Sequence, residues 1–151
     1  MRALIQRVSH ASVVVEGETI GDIQQGLLVL LGITHEDKET DQEWLIRKIL
    51  NLRIFSDEAG KMNLSVQDVE GEILVISQFT LFANSKKGNR PSYIRSAPPA
   101  VSIPLYENFL KSLKTQFSGK VASGEFGADM KVSLLNDGPV TIMLDSQQQE
   151  I

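Results

Sequence analysis

Gly26-Leu27-Leu28-Val29-Leu30-Leu31-Gly32-Ile33 is an unbroken apolar run bounded by glycine, and its length favours a fully buried strand over a helix. The rest of the chain arranges itself around that strand. Upstream, residues 3–8 and 12–16 read as short strands, the second carrying the β-branched triplet Val13-Val14-Val15. Residues 19–23 continue the pattern after the polar turn Glu16-Gly17-Glu18. Downstream, Thr40-Asp41-Gln42-Glu43 matches a capping box, and Leu45, Ile46, Ile49, Leu50 and Leu52 give the following helix an apolar face suited to core packing. Arg53-Ile54-Phe55 returns as a strand, Asp57-Glu58-Ala59-Gly60 turns, and residues 73–76 form another buried strand. A second helix is predicted from near Ser102, with Pro104 in its first turn, and Leu105, Phe109, Leu113 and Phe117 recur at every fourth position. Ser118-Gly119 stops it. Strands over 121–124, 130–135 and 140–144 complete the chain, and residues 146–151 read as a frayed tail. The fold class is α+β: one β-rich mixed αβ domain over residues 1–151 with two principal helices.

Composition narrows the function. At 151 residues, 42% apolar and 23% charged, the chain has the make-up of an ordinary globular domain large enough for a core without staples. No stretch approaches the roughly 18 uncharged apolar residues of a membrane span, and Met1-Arg2-Ala3-Leu4-Ile5-Gln6-Arg7 is too polar for a signal peptide. The absence of cysteine removes disulfides and thiolate chemistry and suits a cytoplasmic location. His10 and His35 are too few, and too poorly spaced from carboxylates, to predict a metal centre. A net charge of −4 argues against a generic nucleic-acid coat, yet Lys86, Lys87, Arg90 and Arg95 fall within ten residues of one another. That cluster is compatible with either a solvated loop or a local basic face.

Two segments sit where strands give way to exposed backbone. Ser77-Gln78-Phe79-Thr80-Leu81 offers hydroxyls, an amide and free N–H groups. Thr80 invites a nucleophile reading, but a threonine hydroxyl needs a neighbouring base, and there is no nearby histidine and no Gly-x-Ser-x-Gly elbow. Consecutive N–H groups there could instead hold an oxyanion, at about 3 kcal/mol for one well-placed donor. Asn136-Asp137-Gly138-Pro139-Val140-Thr141 is strong turn chemistry and fits a plain hairpin. Its Gly-Pro bond could be cis, although the dipeptide alone does not establish that.

Taken together, these motifs resemble the D-aminoacyl-tRNA deacylase family, which carries Ser-Gln-Phe-Thr and Asn-x-Gly-Pro-Val-Thr, matched by Ser77-Gln78-Phe79-Thr80 and by Asn136 through Thr141. The likeness runs over nearly the whole length, through Ile5-Gln6-Arg7-Val8, the opening glycine-bounded run, Arg53-Ile54-Phe55, Gly60-Lys61-Met62-Asn63 and Lys87-Gly88-Asn89-Arg90-Pro91-Ser92. The resemblance implies a barrel-like core of sheets with two helices packed outside. It also implies a homodimer with active sites at the subunit interface, hydrolysing the ester between a D-amino acid and the 3′ adenosine of tRNA. On that basis Gly138-Pro139 is expected to be cis and to reach into the partner's site, with Arg7, Val140 and Thr141 as further substrate-binding residues. Backbone around Ser77, Gln78 and Phe79 is expected to hold the ribose and the scissile carbonyl. Thr80 then positions the substrate while the substrate 2′-OH helps activate water. Lys86, Lys87 and Arg90 become tRNA contacts, and neither a cofactor nor a metal is implied. Asn84 stands where many relatives have an acidic residue, and the neutral Asn89 interrupts the basic loop.

Three other readings compete. A non-catalytic nucleic-acid-binding module, akin to replication-associated family members, is not separated from the enzyme by the basic loop alone, but the intact motifs at 77–80 and 136–141 favour the enzyme. A metal-dependent or triad hydrolase lacks its ligands or its triad. A purely structural dimer leaves both motifs unexplained.

Overall fold

The computed structural model describes residues 1–149. Strand β3 (Gly26–Gly32), the continuous apolar run, is paired on both edges. Antiparallel β1 (Arg2–Val15) lies on one side and parallel β6 (Glu72–Ser77) on the other. Its two faces enter different cores. Leu27, Val29 and Leu31 join Ile73 and Val75 of β6 beneath the helices, while Leu28 joins Leu74 and Ile76 inside the curl of the sheet. A strand covered on both faces has no use for polar alternation, hence the continuous apolar run. Gly26 is needed for a different reason: a Cβ there would lie 1.8 Å from the Glu72 carbonyl oxygen, so only glycine lets β3 and β6 begin their ladder.

Parallel pairing requires long crossovers, and the two helices supply them. Helix α1 (Glu39–Asn51) lies on the path from β3 to β6, and helix α2 (Pro99–Gln116) on the path from β6 to parallel β7 (Val121–Ser123). Leu45, Ile46 and Ile49 of α1 and Tyr106, Phe109 and Leu113 of α2 bury against the sheet. Strand β2 (Glu18–Ile23) pairs with the far half of β1 and packs back towards β6 and β7, where Ile23 meets Leu74 and Ile76. The six-stranded sheet therefore curls into a nearly closed barrel with both helices outside. Strand β8 (Lys131–Asp145) pairs with β1 along its outer edge, and β4 (Phe55–Ser56) and β5 (Met62–Leu64) make a separate small ribbon. Among the described residues no helix is long and apolar enough to cross a membrane.

Several predicted elements need correction. Residues 3–8 and 12–16 are one continuous strand, because β1 changes partner from β3 to β2 without leaving the sheet. The Thr40/Glu43 box does not form; Asp41 reaches back instead, accepting from the Lys38 N–H at 2.8 Å. Of Arg53-Ile54-Phe55 only Phe55 is in a strand. Helix α2 starts at Pro99, which places Pro104 in its second turn, where exposed Ala100 can leave its carbonyl to water. Ser146, expected to begin a frayed tail, is buried, and its N–H donates to the Met1 carbonyl at 2.9 Å. Residues 150 and 151 of that stretch lie outside the described residues.

Candidate active site

Strand β6 hands the chain over at Ser77. Gln78 keeps one last ladder bond, its N–H donating to the Leu31 carbonyl at 2.7 Å, and residues 79–82 then wind into a single 3-10 turn. The first N–H groups of such a turn have no partner within it. Among the described residues, neither the Phe79 nor the Thr80 N–H donates to any other group. Two adjacent backbone donors are thus left available at the end of a buried strand.

The turn is braced from three sides. Ser96 Oγ donates to the Phe79 carbonyl at 2.7 Å, and Arg2 Nη1 donates to the Leu81 carbonyl at 2.9 Å. The Arg2 guanidinium also lies over the Phe82 ring, 4.7 Å from its centroid. Gln78 Nε2 donates to Thr80 Oγ1, so the threonine hydroxyl is held by an amide rather than a base.

Ser77, Gln78 and Phe79 line a cavity of about 260 Å3. Leu31 and Ile76 also line it, as does the segment from Phe126 through Met130 that joins β7 to β8. Sequence reasoning missed this last segment. Its signal was a Phe and a Met set between Gly124, Gly127 and a short polar stretch, which by itself is indistinguishable from a surface loop. The carboxylate among the lining residues, Asp129, is exposed and ion-paired with Lys131 at 3.0 Å. Neither histidine lines the cavity: His35 Nε2 is within 3.1 Å of the Ile94 carbonyl, and His10 pairs opposite Leu135 in the sheet. Among the described residues no group of three or more His, Cys, Asp or Glu could hold a metal ion.

The second motif is not a hairpin. Strand β8 keeps its direction through Asn136 to Thr141, but the register slips: Val8 faces Asn136 and Gln6 faces Thr141, so four residues stand opposite Arg7 alone. They bulge out of the sheet. Asn136 ties the neck of the bulge, its Oδ1 accepting from the Val140 N–H at 2.8 Å and its Nδ2 donating to Thr141 Oγ1 at 3.0 Å. At the tip Gly138-Pro139 is a cis peptide, and Gly138 takes φ 152°, where a Cβ would meet Val140 Cγ2 at 2.7 Å. Arg7 anchors the tip, its Nε donating to the Asp137 carbonyl at 2.7 Å and its Nη1 to the Ile54 carbonyl at 2.5 Å. Asp137, Gly138 and Pro139 are all exposed.

Within the chain the predicted residues fall into separate groups. Ser77, Gln78 and Phe79 share the cavity with Thr80 adjoining it, whereas Arg7, Gly138, Pro139, Val140 and Thr141 cluster away from it and line none of it. Lys86, Lys87 and Arg90 lie on an exposed loop whose neck is closed by the antiparallel bridge between Asn84 and Ser92, and none of the three is ion-paired among the described residues.

Comparison with known proteins gives the family. A D-aminoacyl-tRNA deacylase of Flavobacterium johnsoniae is 61% identical over 150 residues, covering 99% of this chain and 100% of that protein. One from Bacteroides fragilis is 59% identical over the same coverage. Among solved structures, the c-Myc DNA Unwinding Element Binding Protein superposes with a TM-score of 0.91 at 46% identity, over 96% of this chain and 98% of that one. The family model described as D-Tyr-tRNA(Tyr) deacylase matches residues 4–145, a span holding both the cavity turn and the Gly138-Pro139 bulge, so the chain belongs to that family.

Proposed function

We propose that this protein hydrolyses the ester between a D-amino acid and the 3′ adenosine of tRNA, working as a homodimer whose sites combine residues of two subunits. The observation that carries the reading is the division of the site. One protomer offers a cavity edged by two free N–H groups, and a rigid exposed tip that does not reach that cavity. Each half is unexplained without a second copy. Tip entering the partner's cavity makes them one pocket, and the names of the close relatives point to the substrate.

In this mechanism the terminal adenosine enters the cavity and the ester carbonyl faces Phe79 and Thr80. Water attacks the carbonyl carbon, assisted by the substrate 2′-OH. The N–H groups of Phe79 and Thr80 take the oxyanion, a contribution of about 3 kcal/mol for each well-aligned donor. Collapse breaks the bond to the 3′ oxygen, which takes up a proton, and releases the amino acid and the tRNA. Thr80 positions: its Oγ1 accepts from the Gln78 amide, and among the described residues no base is bonded to it. The carbonyls of Gly138 and Pro139 hold the substrate amino group and occupy the space an L side chain would need. Backbone recognition leaves the D side chain unread, so many amino acids are accepted, and achiral glycine to some degree. Lys86, Lys87 and Arg90 contact the tRNA backbone, and such a substrate is met in the cytoplasm.

The test is incubation with D- and L-aminoacyl-tRNA bearing the same amino acid. Only the D ester should be cut, and Thr80→Val should keep near-normal turnover. Equal rates for D and L, or no hydrolysis, would refute the reading, and a covalent adduct on Thr80 would refute the substrate-assisted route. A purely DNA-binding role, suggested by the name of the 46% identical structure, predicts no hydrolysis at all.

A further inference from the structure

The lip of the cavity carries a feature the hydrolytic mechanism does not use. Phe79 lines the cavity, yet the residue is 56% exposed. Tyr93, 40% exposed, meets it edge to face with ring centroids 5.1 Å apart and planes at 74°. The pair is fixed in place. Ser96 bonds both residues, its Oγ donating to the Phe79 carbonyl at 2.7 Å and its N–H to the Tyr93 carbonyl at 2.9 Å. The Asn84–Ser92 bridge closes the basic loop immediately before Tyr93. Lys86, Lys87 and Arg90 lie exposed on the loop that leads into Tyr93, and Arg95 follows it with its guanidinium 5.7 Å from the Phe82 ring centroid; none of the four is ion-paired among the described residues of a chain whose net charge is −4.

We propose that Phe79 and Tyr93 form a stacking platform for the unpaired nucleotides that precede the terminal adenosine of the substrate. The inference rests on the deacylase reading and extends it from the reacting ester to the RNA leading into it. A cavity of about 260 Å3 holds one nucleoside-sized group, so the preceding nucleotides must leave across its rim. Leaving it they meet Phe79 at the rim, Tyr93 packed against it, and then the loop that carries the exposed Lys86, Lys87 and Arg90. Aromatic faces beside a basic track are what single-stranded nucleic acid binds, and stacking tolerates any base. Charge also favours RNA over a second copy of this chain, because an isologous contact centred here would set four cations against the same four.

The experiment compares Tyr93→Ala and Tyr93→Trp with the unaltered protein on two substrates. One is a D-aminoacyl-tRNA and the other is the D-aminoacyl ester of adenosine alone. Stacking is expected to make Tyr93→Ala about tenfold worse in kcat/KM on the tRNA, through KM, with no change on the adenosine ester, while Tyr93→Trp retains tRNA activity. Unchanged tRNA hydrolysis by Tyr93→Ala, or an equal loss on both esters, overturns the platform. So does a smaller oligomer by light scattering, which would assign the rings to a contact between copies. If the unaltered protein cuts neither ester, the deacylase reading itself fails; if it cuts both and Tyr93→Ala is indifferent, only the platform fails. If only the tRNA is cut, loss in Tyr93→Ala with retention in Tyr93→Trp still sustains the proposal.

Discussion

Arg7 shows how much one side chain can organise. Its guanidinium spans two carbonyls from distant parts of the chain, Asp137 on the bulge and Ile54 beside the small ribbon, and Nη2 sits 3.1 Å from where a Cβ of Gly138 would be. A planar fork can hold both acceptors at once, whereas an ammonium offers one compact charge on a flexible stem. Arg7→Lys should therefore fail to rescue Arg7→Ala. Both variants should lose about 100-fold in kcat/KM on the D ester, the scale expected when a positioning group drifts by an ångström. Their melting temperatures should change little, because Arg7 is only partly buried and makes no ion pair among the described residues. Activity near that of the unaltered protein in Arg7→Lys would mean that the tip holds its own geometry. The family likeness led to Arg7 as a site residue, but its bonding partners were not legible in the sequence. Arg7, Ile54 and Asp137 are bonded across separations of 47 and 130 residues, and no local rule links them. The cis state of Gly138-Pro139 was equally unreadable from the dipeptide, and only the family likeness led to its expectation.

Between elements, β1 links the two motifs: it pairs with β8, which carries the bulge, and its Arg2 bonds the turn that follows β6. At its end Arg2 joins three parts: its Nε donates to Asp145 Oδ2 at 2.7 Å, its Nη1 to the Leu81 carbonyl, and its face covers Phe82. Burial pushes the Asp145 carboxyl up, but the Arg2 hydrogen bond and charge and the Gln147 N–H outweigh it, so the net shift is below the usual carboxylate value of 3.8. A carboxyl depressed in the folded state stabilises the protein above its unfolded value and loses that contribution as pH falls through the folded one. The melting temperature should accordingly decline below about pH 4. Asp145→Asn should cost about 2 kcal/mol at neutral pH, and the gap should narrow as the pH falls below about 4, so the two melting curves draw together in acid. A constant gap down to pH 2 would show that packing, not charge, is lost. At this scale the sequence was most readable where period alone decides, as in the β3 run and the apolar faces of α1 and α2. It was least readable where partners decide. A strand that trades β3 for β2 midway, or one that bulges opposite Arg7 without turning back, looks like two strands when read locally.

For the whole molecule the sharpest question is whether a site belongs to one chain or two, and it can be answered without a structure of the complex. Ala128 lines the cavity on a short loop, so Ala128→Trp should fill it while leaving the tip intact. Gly138 stands at φ 152° with a would-be Cβ 2.8 Å from the Val140 nitrogen, so Gly138→Val should disable the tip while leaving the cavity open. Each homodimer should be inactive on D-aminoacyl-tRNA. Refolded together in equal amounts, half the dimers should be mixed. In a mixed dimer one site pairs the sound cavity of the Gly138→Val chain with the sound tip of the Ala128→Trp chain, and the other site carries both lesions. Mixing should therefore restore about one quarter of normal turnover, the product of half the dimers and one site in two. If cavity and tip of the same chain worked together, every site in the mixture would carry one lesion and activity would stay absent. Recovery near a quarter, seen only after subunit exchange and not on simple mixing of folded dimers, would locate the chiral check on the subunit opposite the bound ester.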